Sequence, residues 1–282
     1  MACNSRSVPV FFSPVGAMIA TAPSIRRRRA TDVLLRRRAR LDRRRAVLPD
    51  GAATTVHVAA YDLAAFQPRV AVFDAPLPLA RWCREHAVRD AIVGGFFLRS
   101  QGVPLGELRV DGDQVASEPF ASPWHRIRGC VQIDGPQVRL ACRDMLGPEP
   151  AGDLLQAGPL LVSGGRCVAH DGEDREGFSA GAHQFDSDIT RGRFPRAALG
   201  IGEGRLLTVA CDGRTARDAG MTLSELARLM LELGAESAIN LDGGGSTSLV
   251  YAGRLRNHPR EEHGIDLLEG RPVLSAIAIE PR

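Results

Sequence analysis

The run Asn240-Leu241-Asp242-Gly243-Gly244-Gly245-Ser246-Thr247-Ser248 is where residue type and spacing most clearly allow chemistry. Three successive glycines are entropically costly unless the backbone must take unusual dihedrals or approach a ligand closely. Their amides, unshielded by side chains, can form a concavity for an anion, with the Ser and Thr hydroxyls alongside. Asp242, directly before them, sets a carboxylate beside that cradle. The run is not a Walker loop, because the lysine is missing. It is not a dinucleotide fingerprint either, because the third spaced glycine is absent and residues 246–251 read as a strand, not a helix. Residue physics leaves two readings open: a phosphate or sugar-hydroxyl cradle, and a plain flexible turn.

The flanking elements are legible. Residues 205–211 read as a strand that runs into Asp212, and residues 238–241 as a strand that runs into Asp242. Between them Thr222-Leu223-Ser224-Glu225 has the form of a capping box. Leu223, Leu226, Ala227, Met230 and Leu231 make one apolar face, and Gly234 supplies the stop. The two carboxylates thus end the strands of a strand–helix–strand unit, and ligands of open α/β sheets collect beyond the carboxyl ends of strands.

Upstream, residues 56–61 and 69–73 read as strands, Pro78 opens a short helix with Leu79, Trp82, Cys83 and His86 on one face, and residues 91–98 form a buried apolar run. Residues 107–110, 115–117, 129–133 and 137–141 read as further strands between turn signals. Residues 158–163 and 166–169 pair across Gly164-Gly165. Residues 197–201 and 205–211 make a second hairpin, closed by Asp212-Gly213. Residues 171–195 are polar and irregular, with Phe178 and Phe185 as anchors, and a loop of that length is often functional. Strands outnumber helices, so the expected fold is α+β: one large mixed, mainly antiparallel sheet with a few packed helices and the C-terminal strand–helix–strand unit.

The remaining candidates are weak. His258 and His263 share a polar loop without a clear helix, and His183 lies in the 171–195 loop. The six cysteines are dispersed with no CxxC pair and read as buried thiols. An aromatic content of 5% argues against an extended stacking platform for sugars or bases.

Charge divides the 282 residues in two. All 36 basic residues are Arg; residues 1–50 hold 12 of them against Asp32, Asp42 and Asp50, a net of +9, which leaves −6 for the rest. The Arg-dense block 26–45 repels itself, so residues 1–50 are expected to be a disordered basic tail and residues 51–282 the folded domain. Such a tail is a weak indication of nucleic-acid attachment. Residues 8–22 form a short apolar stretch ending Ala20-Thr21-Ala22; read as a signal segment it implies secretion, but Pro9, Pro14 and the following Arg block favour a cytoplasmic protein. No stretch reaches the ~20 apolar residues of a membrane span.

Several blocks, in order, resemble the phosphodiester glycosidase family. Residues 238–246 are similar to its AINLDGGGS signature, 91–97 to INGGFF, 158–162 to GPLLV, 195–200 to PRTAIG, 212–214 to DGR, and Arg271-Pro272-Val273 to the segment before its last strand. Two positions depart: Val93 stands where the family has Asn, and Ala197 where it has Thr. The resemblance implies hydrolysis of a sugar-1-phosphodiester to a sugar and a phosphorylated acceptor. It implies Asp242, Asp212 and Arg196 as catalytic residues, with Arg196 clamping the phosphodiester, one carboxylate activating water and the other stabilising charge or donating a proton. Substrate binding would fall to Gly94, Gly95, Asn240, Gly243, Gly244, Gly245, Ser246 and Arg271. The carboxylates could instead hold calcium or magnesium through oxygen ligands. A non-catalytic sugar-phosphate or polysaccharide-binding domain is the alternative raised by Val93 and Ala197.

Overall fold

The computed structural model describes residues 38–179 and 192–282. The centre is a seven-stranded sheet. Its order is β1 (Ala39–Val47), β2 (Ala53–Asp62), β15 (Arg205–Cys211), β14 (Arg196–Gly202), β16 (Ser237–Asn240), β12 (Leu160–Ser163) and β13 (Arg166–Cys167). A five-stranded sheet holds β18 (Arg254–Leu255), β17 (Leu249–Tyr251), β4 (Asp90–Val93), β19 (Pro272–Pro281) and β3 (Phe66–Pro78). A second holds β10 (Gln137–Cys142), β9 (Gly129–Asp134), β11 (Asp153–Gln156), β7 (Leu108–Val110) and β8 (Asp113–Gln114), and β5 (Phe97–Leu98) pairs with β6 (Val103–Pro104). Every ladder among the described residues is antiparallel.

The single large mixed sheet expected from the sequence is therefore three larger antiparallel sheets and the two-stranded β5–β6 ribbon. Twist explains this: a sheet much beyond ~10 strands curls or splits. The mainly antiparallel α+β character stands. Pleating gives the seven-stranded sheet two apolar faces. One face, with Ala59, Tyr61, Ala197, Leu199, Ala210 and Ile239, packs on the five-stranded sheets in the main core. The other, with Val56, Val58, Ala198, Val209, Cys211 and Ala238, is covered by the long helix and by Phe96, Phe120 and Phe178.

Three helices are described: α1 (Leu79–Glu85), α2 (Trp124–Ile127) and α3 (Leu223–Glu232). In α3 the Thr222 hydroxyl accepts from the Glu225 amide while the Glu225 carboxylate accepts from the Thr222 amide, the capping box read from sequence. Its buried face is Leu223, Leu226, Ala227, Leu229 and Met230; Leu231, expected inside, is 38% exposed. Helix and sheet approach so closely at Gly200 that a Cβ there would lie 2.5 Å from Met230 Cε. The β14–β15 hairpin turns at Glu203-Gly204, both at positive φ, not at Asp212-Gly213, which lies beyond the far end of β15.

The tail boundary also moves. Ala39–Val47 is an edge strand along β2, although the sequence places it in a disordered tail. Ala39 and Leu41 pack on one core and Ala46 on the other. The Arg45 guanidinium donates to Asp218 (2.5 Å), which also accepts from the Thr55 amide and hydroxyl at 2.8 Å each. Self-repulsion of the Arg block is offset by an aspartate 173 residues away, invisible to local reading. The other arginines suit an edge, where charge deters further strand pairing. Residues 1–37, the 8–22 stretch among them, lie outside the described residues, as do His183 and Phe185. Among the described residues no helix is long and apolar enough to cross a membrane.

Candidate active site

The glycine-rich loop is held where two sheets meet. Leu241 extends the β16 ladder, its amide donating to Ala197 O at 2.9 Å. One residue on, the Asp242 amide crosses to Gly94 O at 3.0 Å, in the corner that follows β4. Gly244 donates to Pro195 O (2.9 Å), and residues 244–246 close a short 3₁₀ turn. Asn240 braces the strand end, its Nδ2 donating to Gly158 O and Leu241 O at 2.9 Å each.

Gly94 and Gly95 serve this junction as packing residues. Both are buried; a Cβ on Gly94 would meet Ser275 Oγ at 2.4 Å, and one on Gly95 would meet Gln156 O at 2.9 Å. The Gly95 amide donates to Ser275 Oγ at 3.1 Å. Their contribution is to let β4 turn tightly over β19 and present Gly94 O to Asp242.

One amide of the expected anion cradle is already engaged within the fold. The Gly244 amide is committed to Pro195 O. What the missing side chains allow is close approach by two guanidinium groups. Gly244, at φ 58°, would place a Cβ 3.3 Å from Arg214 Nη2, and Gly245 would place one 2.8 Å from Arg271 Nη2. Arg271, just before β19, donates through Nε to Glu261 Oε1 at 2.7 Å and through Nη2 to Glu261 Oε2, and its Nη1 reaches Ser246 Oγ at 3.4 Å. Arg214 lies 3.8 Å from the same Glu261 carboxylate.

Asp242 sits inside this ring of groups. Its Oδ2 is sealed from solvent without a hydrogen-bond partner. Enclosure pushes the carboxyl up to about 6, against the opposing pull of the Ser246 hydroxyl, the Arg271 charge, the Gly243 amide and the Arg99 charge. Glu261 moves the other way: its bonds to Arg271 outweigh burial and hold it below the usual range, with Arg99 and Arg214 adding to the effect. Two carboxyls joined through Arg271 are thus pushed apart, the arrangement in which one group exchanges protons near neutrality while the other stays charged.

Asp212 belongs to a neighbouring cluster. Asp212 follows Cys211, which pairs with Arg196 on β14, while Asn240, two residues before Asp242, pairs with Ala198 on the other side of β14. Two strand spacings, about 10 Å, separate the strands that carry the two aspartates. The Asp212 carboxylate accepts from the His258 amide (Oδ1, 2.7 Å) and faces His258 Nδ1 at 3.2 Å and His57 Nε2 at 3.6 Å through Oδ2. Burial raises its pKa, but His57, the His258 amide and the His258 ring outweigh burial and leave it lowered. Among the described residues, the trio His57, Asp212 and His258 has the spacing to hold a metal ion, and Asp242 is not part of it. Asp212 therefore groups with two imidazoles and not with Asp242.

Arg196 departs most from expectation. It pairs with Cys211, so pleating turns its side chain to the helix-covered face, opposite to the face of His57 and Ala210. There it is 3% exposed, donating to Met221 O (3.1 Å) and Gly192 O (3.5 Å), with its guanidinium 5.4 Å from the Phe194 ring. These bonds make it a brace between β14 and the start of α3, not a phosphodiester clamp. The positions departing from the family pattern, Val93 and Ala197, are both fully buried in the main core. His263 falls in a surface 3₁₀ turn.

Of the expected residues, the fold brings together Asp242, the 243–245 glycines, Ser246 and Arg271. It adds Glu261, Arg214 and Arg99, which sequence reading missed as site residues. Arg214 stood within the quoted DGR block; Glu261 and Arg99 sit in polar loops with no local signal. His57 was hidden in a strand, where one polar residue among apolar ones reads as noise.

Fold and site together place the chain among known proteins. The phosphodiester glycosidase family model matches residues 86–280, and the chain belongs to that family. It is 30% identical over 177 residues to mouse N-acetylglucosamine-1-phosphodiester alpha-N-acetylglucosaminidase, and 29% identical over 177 residues to the human enzyme of that name. Each match covers 61% of this chain and 34% of the relative, so the chain spans about a third of the length of these curated relatives. In fold it is similar to the catalytic domain of the zebrafish enzyme of that name, solved auto-inhibited by its pro-peptide (TM-score 0.66, 19% identity, 86% of this chain and 83% of that one). It is also similar to a hypothetical protein from Synechocystis (TM-score 0.60, 19% identity, 87% and 62%).

Proposed function

We propose that the protein hydrolyses a sugar-1-phosphodiester, releasing the sugar and a phosphorylated acceptor. The observation that carries this reading is Asp242, a carboxyl tuned to about 6 and set among Ser246, Arg271 and Arg99. A general base works best when its pKa lies near the operating pH. In the proposed step Asp242 takes a proton from water as the water oxygen bonds to the anomeric carbon. The anomeric C–O bond breaks, and its electron pair leaves with the phosphate.

One base suffices for this direction of cleavage. A phosphate monoester is a weakly basic leaving group, and guanidinium charge stabilises it without a proton donor. Breaking the P–O bond would expel a sugar hydroxyl and call for an acid as well. Arg271, fixed by Glu261, and Arg99 are the cations assigned to the phosphate; Arg214 backs the loop and supports Glu261. The family membership, the curated relatives and the charge pattern support the reading together.

The test is release of free sugar from a panel of sugar-1-phosphodiesters. Wild type should turn over at least one of them, and Asp242→Asn should lose that turnover. In heavy-oxygen water the label should appear in the sugar; label in the phosphate would reverse the assigned bond. A fully active Asp242→Asn variant would remove Asp242 from the mechanism.

A further inference from the structure

We infer that His57, Asp212 and His258 form a binding site for a divalent transition-metal ion of the zinc type. The ligand atoms are His57 Nε2, Asp212 Oδ2 and His258 Nδ1, all within 4.8 Å of one another. Asp212 is 1% and His57 3% exposed, so both are withdrawn from water. A carboxylate this deeply buried needs a cation or strong donors. The backbone supplies one, the His258 amide on Oδ1 at 2.7 Å. Oδ2 faces only the two imidazoles among the groups recorded around it, and His57 Nε2 is sealed from solvent with no hydrogen-bond partner.

His57 Nε2 stands 3.6 Å from Oδ2, beyond hydrogen-bond reach, while His258 Nδ1 is hydrogen-bonded to the same oxygen at 3.2 Å. Metal–ligand bonds of about 2.0–2.1 Å in a tetrahedron put neighbouring ligand atoms about 3.3–3.4 Å apart, between these two values. The third edge closes by rotation of the His258 ring, whose side chain is 58% exposed. Two imidazoles and one carboxylate select a zinc-like ion over calcium or magnesium, which prefer all-oxygen shells.

The surroundings hold the ligands in place. His57 on β2 pairs with Ala210 on β15, so it shares a face with Asp212, two residues further on. The Asp212 backbone is fixed by its own amide to Thr55 O (2.9 Å) and by the Thr54 hydroxyl donating to Asp212 O (2.7 Å). The neighbouring Asn257 locks the approach of His258, accepting from the Leu249 amide at 2.9 Å and donating to Thr247 O at 2.8 Å. Such outer contacts are what orient metal ligands. Three protein ligands leave a fourth position on the exposed His258 side for water or an anionic oxygen.

The experiment reads metal uptake and not hydrolysis, so it stands apart from the proposed activity. The full chain is stripped with chelator and titrated by calorimetry with Zn²⁺ alone, then with Co²⁺ for its absorption spectrum. One equivalent should bind, His258→Ala should weaken it at least ~10-fold, and the Co²⁺ spectrum should be tetrahedral without a thiolate charge-transfer band. His258→Ala is the decisive variant because its exposed ring can be removed without emptying the core; His57→Gln, read alongside its circular dichroism, is the buried counterpart. Absent uptake, uptake unchanged in His258→Ala, or a thiolate band from the cysteines would each overturn the site.

Discussion

Asp242 is the residue on which stability and activity conflict. Its carboxyl is pushed up to about 6 from an ordinary 3.8, so the folded state disfavours the charge. The sign follows from linkage: the group favours folding below about pH 4, and that contribution is lost as pH rises through 6. At pH 7.5 it therefore costs roughly 1–3 kcal/mol. Asp242→Asn should raise the melting temperature at pH 7.5, with the gain shrinking as pH falls from 6 to 4. The same variant should lose about 10²- to 10⁴-fold in turnover. Wild-type activity should decline on the acid side with a midpoint near 6, measured as kcat/KM against pH. Arg271→Lys should also cost activity, because a point charge cannot reproduce the fork on Glu261 that leaves Nη1 toward Ser246.

At the level of elements, the glycines act through the space they leave. Gly94→Ala would drive a Cβ to 2.9 Å from the Ser275 carbonyl carbon and 3.0 Å from the Ala276 amide nitrogen, backbone atoms that cannot step aside. A loss of about 1–3 kcal/mol is expected by urea unfolding, the usual cost of overpacking. Gly245→Ala would instead displace the Arg271–Glu261 pair, so its effect should fall on activity more than on stability. Thr222→Ala removes half of the capping box and should cost about 1 kcal/mol. Local grammar predicted α3 because capping, periodicity and the Gly234 stop all lie within one stretch of chain. It misjudged Leu231 because which flank of a helix meets a sheet depends on the crossing, and Gly200 decides how closely the two approach.

For the whole molecule, the boundary of the folded unit is the testable point. A chain beginning at Arg38 keeps β1 against β2, whereas one beginning at Gly51 loses the edge strand and the Arg45–Asp218 bond. The shorter chain should melt several degrees lower and be more prone to associate through the uncovered β2 edge. Charge is also distributed at this scale. The acidic part of the chain gathers Arg99, Arg214 and Arg271 around Asp242 and Glu261, and sets Asp212 between two histidines a short distance away.

The sequence by itself determined the family blocks, the strand-rich composition, the capped helix and the glycine-rich loop with Asp242 at its start. All of these are written in contiguous residues, where periodicity, capping and backbone freedom act. Only the tertiary structure decided how one expected sheet divides into several, and which side of a strand a residue occupies. Arg196 and Asp212 sit at the ends of neighbouring strands and look like partners. The pleat sends Arg196 under α3 and Asp212 to the opposite face, beside a histidine from β2 and another from the loop before β19. Glu261 and Arg99 come to Asp242 in the same way, across long stretches of chain. Pairing register and face are set by burial of the whole sheet, and no local pattern carries that information.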